Sequence, residues 1–91
     1  MEQGLAFRVS GRVQGVGFRW FVKQTADGLG LTGWVRNEPD GSVRGEAEGE
    51  AGLLKEFAAT LRRGNRLSAV SGLTEEPLSF SARYDSFEIR H

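Results

Sequence analysis

Gly11-Arg12-Val13-Gln14-Gly15-Val16-Gly17-Phe18-Arg19 is where the pattern of this chain changes. Before it, Leu5, Phe7 and Val9 alternate with Ala6, Arg8 and Ser10, the period of a strand with one buried face. After it, Phe18, Val22, Ala26 and Leu29 fall on one face of a helix, with Lys23, Gln24 and Asp27 on the other. Between the two lie a pair of glycines two residues apart and then an arginine. A strand-to-helix turn of this kind presents backbone N–H groups and the positive end of a helix to whatever sits above it, which suits an anion. The expectation is that this turn holds a phosphate and that Arg19 closes on it.

Downstream, Gly28 and Gly30 predict the end of the helix. Leu31 to Asn37 reads as a second strand, with Leu31, Gly33 and Val35 on one side and Thr32, Trp34 and Arg36 on the other. Glu38-Pro39-Asp40-Gly41 is a turn, because proline presets one backbone angle and Gly41 tolerates the left-handed one. Ser42 to Gly49 predicts the third strand, with Arg44, Glu46 and Glu48 facing water. A second helix runs from about Glu50 to Arg63 on the spacing of Leu54, Phe57, Ala58 and Leu61, and Gly64 caps it. Leu67 to Glu76 reads as a strand that Pro77 interrupts, and Ser86 to Arg90 as a short terminal strand.

The order β-α-β-β-α-β plus a closing strand is α+β, the ferredoxin-like split βαβ arrangement: an antiparallel sheet with two helices on one face, in one domain over residues 1–91. In it the first and second strands are parallel, with the third between them. Their C-terminal ends then share one end of the sheet, roughly 10 Å apart. Asn37 is therefore expected beside the Gln14–Arg19 turn.

Composition narrows the chemistry. Lys plus Arg equals Asp plus Glu at 12 each, which argues against nucleic acid or a membrane surface bound by bulk charge. There is no cysteine, so disulfides, thiolate nucleophiles and Cys-based metal sites are excluded. No apolar run is long enough for a membrane helix and no basic-then-apolar leader is visible, so a soluble cytoplasmic protein is expected. The one histidine is His91, and no His, Asp or Glu cluster has metal-ligand spacing.

What remains suits a bond with a good leaving group. A carboxylate departing from phosphorus is already stable as an anion, so no general acid is needed. Catalysis reduces to holding the phosphoryl group, spreading its charge and aiming a water. The turn's N–H groups and the Arg19 guanidinium suit the first two tasks. The Asn37 amide can orient water without titrating. Each residue has a plainer reading beside this one: turn glycines at 15 and 17, a solvated Arg19, a turn-forming Asn37, packing roles for Trp20, Phe21 and Trp34, and a solvated His91.

Gly11-x-Val13-Gln14-Gly15-Val16-Gly17-Phe18-Arg19 resembles the first signature of the acylphosphatases. Gly33-Trp34-Val35-Arg36-Asn37-x-x-x-Gly41-x-Val43, followed by Gly49, resembles their second, at the expected separation. The resemblance implies hydrolysis of acyl phosphates to a carboxylate and inorganic phosphate, with no metal and no cofactor. It carries the family's phosphate cradle onto Gln14, Gly15, Val16, Gly17, Phe18 and Arg19, its essential arginine onto Arg19 and its water-positioning asparagine onto Asn37. It implies a small-molecule acyl phosphate as substrate, and inorganic phosphate as product and competitive inhibitor. A monomer with no nucleic-acid or membrane partner is expected. The chain departs from the family at Asn65, where proline is common, and at His91, where an aromatic residue is common. Two other readings stand beside this one. The first is an RNA-binding module using the open sheet face, disfavoured by Glu46 and Glu48. The second is an accessory domain acting on a carbamoyl phosphate within a larger assembly, disfavoured by the short chain.

Overall fold

The computed structural model describes residues 1–91. Its elements are β1 (Glu2–Arg12), α1 (Phe18–Gly28), β2 (Thr32–Asn37), β3 (Val43–Glu50), α2 (Ala51–Arg63), β4 (Ala69–Leu78) and β5 (Phe87–Arg90). They form one sheet in the order β4-β1-β3-β2-β5. β3 is antiparallel to both β1 and β2, and β4 is antiparallel to β1. β1 and β2 are thus parallel with β3 between them, as the split βαβ order requires. β5 adds a parallel edge beside β2, which makes the five-stranded sheet mixed.

The core lies between the sheet and the helices. Leu5, Phe7 and Val9 of β1, Val35 of β2, and Val43 and Ala47 of β3 meet Phe18, Val22 and Ala26 of α1 and Leu54, Phe57 and Leu61 of α2. Phe57 is central: its ring stands edge-on to Phe7 at 5.4 Å and to Phe87 at 6.1 Å. On β3, a side chain at Gly45 would run into the Trp34 carbonyl oxygen of the neighbouring strand and then the Phe7 ring.

The polar face departs from expectation. Glu48 is only 3% exposed instead of facing water. The segment 79–86, between β4 and β5, reaches this face. The Ser81 N–H (3.0 Å) and the Arg83 N–H (3.1 Å) both donate to the Glu48 carboxylate. Two backbone donors are what a carboxylate needs before it can be buried. Nearby, Trp34 Nε1 donates to the Tyr84 hydroxyl (3.2 Å), which donates to Glu46 (2.6 Å). Burial, and then the bond to Glu46, push the Tyr84 phenol above its ordinary pKa. Trp34 does pack, but on the face away from the helices, with the guanidiniums of Arg36, Arg44 and Arg90 at 5.1, 5.7 and 5.2 Å from its ring centroid. A ring so covered offers no platform for a base.

The last quarter also differs in detail. Pro77 sits inside β4, opposite Leu5, rather than ending the strand. β4 is an edge, so the missing N–H of proline breaks no ladder on its outer side.

Candidate active site

β1 and β2 end at the same end of the sheet, and a cavity of about 330 Å³ opens there. It is lined by Val13, Gly15, Gly17, Phe18, Arg19, Trp20, Asn37, Ile89 and His91. The turn from β1 to α1 forms one wall. Gly15 and Gly17 both adopt left-handed backbone angles, φ 73° and 74°. A side chain would have room at either position: nothing lies within 4 Å of a Cβ at Gly15, and only the Asn65 amide, at 3.9 Å, at Gly17. The backbone therefore demands glycine here, since an L-residue at such angles costs about 1–2 kcal/mol. Val16, between them, is buried in the core and anchors the turn from below.

α1 begins without a side-chain cap, because its N-cap residue is Gly17. A helix cannot satisfy its own first-turn N–H groups. Here they stay free at the cavity wall, with the positive end of the helix dipole behind them. Neither α1's first turn nor the cavity lining carries an acidic side chain. Arg19 is the only arginine or lysine on the lining.

Gln14 joins this wall to the opposite one. Its Nε2 donates to the carbonyl oxygens of Glu38 (2.8 Å) and Ser42 (2.9 Å), on either side of the β2–β3 turn. Asn37, the last residue of β2, is thereby held across from the glycine turn. It is half-buried, and its side-chain Oδ1 is buried without a hydrogen-bond partner. Asn37 lines the cavity and no protein group is bonded to its side-chain amide, so the amide is available to a water or a substrate group.

The turn and Asn37 thus come together as the topology predicts. Gly15, Gly17, Phe18, Arg19 and Asn37 line the cavity; Gln14 and Val16 support it from the side and from below. Three further residues escape a reading of the sequence. Trp20 is not packed: it is 57% exposed and forms part of the lining. His91 is exposed but not idle, with its Nδ1 3.2 Å from Arg19 Nη1. A guanidinium can only donate, so the imidazole accepts through Nδ1. Asn65 donates through Nδ2 to the Val16 carbonyl oxygen at 2.9 Å. The sequence signal at Asn65 and His91 was only that each departs from the common family residue.

The family model for acylphosphatase matches residues 5–89. The chain belongs to the acylphosphatase family. Among curated relatives, an acylphosphatase of Syntrophotalea carbinolica is 47% identical over 83 residues, covering 91% of this chain and 90% of that protein. One from Salinibacter ruber is 40% identical over 89 residues, covering 98% and 94%. The crystal structure of acylphosphatase from Bacillus subtilis superposes with a TM-score of 0.94 at 36% identity, over the whole of both chains. The ferredoxin-like arrangement is that of the family, and no helix here is long and apolar enough to cross a membrane.

Proposed function

We propose that the Gln14–Arg19 turn holds the phosphoryl group of an acyl phosphate while Asn37 aims the water that attacks it. The reaction is the family's, hydrolysis of the carboxyl–phosphate bond to a carboxylate and inorganic phosphate. The observation that carries the assignment is one cavity with uncapped helix N–H groups and a guanidinium on one wall and Asn37, its side-chain amide bonded to no protein group, on the other.

The N–H groups of the turn and the first turn of α1 take the phosphoryl oxygens, and Arg19 spreads their charge as the bond to the carboxylate oxygen lengthens. The water oxygen, oriented by the Asn37 amide, bonds to phosphorus as the carboxylate leaves with the bonding electron pair. The water's proton passes to phosphate or solvent. No general acid is required, since the leaving group is stable as an anion. A metal ion would find His91 as its only strong side-chain ligand on the lining, which supports a metal-independent reaction. Inorganic phosphate, being both product and a fit to the cradle, is a competitive inhibitor. The protein acts as a cytoplasmic monomer on small acyl phosphates.

The test is hydrolysis of benzoyl or acetyl phosphate in the presence of a chelator. Arg19→Ala should weaken phosphate binding and lower kcat together, by about 100-fold or more in kcat/KM. Asn37→Ala should lower kcat by about 100-fold with KM nearly unchanged, because water placement matters only in the transition state. Full turnover by the Asn37→Ala protein would sink its assignment.

A further inference from the structure

We propose that Asn65 is a positioning residue for the phosphate turn: it fixes which way the Val16–Gly17 peptide faces. The inference rests on the turn being the phosphate cradle. Asn65 Nδ2 donates to the Val16 carbonyl oxygen at 2.9 Å, from a residue 49 positions along the chain. In a trans peptide, a carbonyl and the N–H that follows it point in opposite directions, and this chain has no cis bond. Holding the Val16 carbonyl towards Asn65 therefore turns the Gly17 N–H the other way, to the cavity that Gly17 lines.

This peptide is the one in the turn that needs holding. Glycine stands on both sides of Val16, each at positive φ, and glycine adopts either backbone hand with little preference. The turn's own sequence leaves the peptide free to reverse, and a reversed peptide would present a carbonyl oxygen to the phosphate. Asn65 is itself firmly held. Its N–H donates to Ser68 Oγ (2.9 Å), and its carbonyl accepts from the Ser68 hydroxyl (3.1 Å) and the Ser68 N–H (3.3 Å).

A second observation separates this role from plain packing. The other half of the Asn65 amide, Oδ1, is buried without any partner. A buried acceptor left unpaired opposes folding, and leucine would fill similar space without it. That penalty offsets what the Val16 bond contributes to folding, so stability gives little reason for an amide here. Its donor to the turn gives one. Residue 65 lies outside both signature stretches, and a proline there could make no such bond.

The experiment is a titration with inorganic phosphate, followed by the Gly17 amide signal in nitrogen–proton spectra, on the full chain and on Asn65→Leu. In the unaltered chain the Gly17 amide shifts strongly and saturably. In Asn65→Leu the shift shrinks and the dissociation constant for phosphate rises about fivefold, because only part of the population presents the N–H. The melting temperature stays close to the parent's, because the variant leaves the Val16 carbonyl oxygen unpaired but removes the unpaired Oδ1. Should Asn65→Leu fail to fold, Asn65→Ala carries the same test, since it loses the donor without adding a charge beside the turn. Equal shifts and equal affinity in variant and parent would overturn the role of Asn65 alone. A parent chain whose Gly17 amide ignores phosphate would overturn the cradle itself, and this inference with it.

Discussion

The two helices of this protein begin in opposite ways. α2 starts at Glu50, whose carboxylate folds back to accept from the N–H groups of Gly52 (3.0 Å) and Leu53 (3.2 Å). α1 starts at Gly17, which has no side chain with which to do this. Because β3 runs antiparallel to β1, the two starts lie at opposite ends of the sheet. Only the uncapped one opens onto the cavity with Arg19 and Asn37. A helix end that serves only the fold satisfies its own donors; one that serves a ligand keeps them free. The unsatisfied donors cost stability at α1, and in the proposed cradle the substrate's oxygens would complete them.

That contrast can be broken at Gly17. Gly17→Asp brings a carboxylate to the α1 terminus, the group Glu50 supplies at α2. Aspartate tolerates a left-handed φ better than most residues, and the space around a Cβ there is open to 3.9 Å. The fold should survive while kcat/KM on benzoyl phosphate falls by more than about 100-fold, since a negative charge now faces the phosphoryl group. Gly17→Asn, equally bulky but neutral, should lose much less. Equal losses in the two variants would mean that shape, not charge, governs this end.

Gln14→Leu tests how the open end is braced. α2's start is closed by its own neighbour, whereas the wall at α1 leans on the β2–β3 turn through the two Gln14 bonds. Removing the donor leaves two part-buried carbonyls unpaired, at about 1–3 kcal/mol. It also frees the glycine turn from Asn37. Denaturant melts should show the loss of stability, and turnover should fall several-fold with it. Stability lost without turnover would make Gln14 a fold residue only.

Glu50→Gln addresses the closed end. The N–H of Gly52, and next that of Leu53, hold the Glu50 carboxyl below its usual range. A depressed value means that the cap stabilises fully above the unfolded carboxyl's pKa, about 4.3, and fades as pH falls through the lower folded value. Thermal melts from pH 7 down to 3 should therefore lose less stability in Glu50→Gln than in the parent over that acid range. The variant should start a few degrees lower at neutral pH. Phosphate affinity should not move, because this end is remote from the cavity.

How much of this was legible beforehand depends on the range of the interaction. The Leu5-Phe7-Val9 alternation and the Phe18-Val22-Ala26 face gave β1 and α1, because local periodicity encodes them. Topology then brought Asn37 to the turn, because the split βαβ order admits few other placements. The closure of the open face over Glu48 was not legible. It depends on the irregular segment 79–86, whose backbone donors carry no pattern in sequence. Asn65 and His91 were hidden for the same reason: each reaches the site across 49 and 72 residues respectively, from positions with no periodic signal. Trp20 misled because aromatic residues usually pack, and only the placement of α1's first turn shows that this one does not.

His91 provides the finest test of the open end. Its Nδ1 takes one N–H of Arg19 at the exposed mouth of the cavity, 3.2 Å away. An exposed contact of this sort competes with water and holds a flexible side chain only loosely. His91→Ala should therefore raise the inhibition constant for inorganic phosphate by only about two- to threefold, the cost of ordering a freer guanidinium when the anion arrives. The loss should fall on KM rather than kcat if the imidazole acts through Arg19 before the reaction begins. A larger loss confined to kcat would instead put the imidazole in contact with the reacting group, and the open end of α1 would then be served by three side chains rather than two.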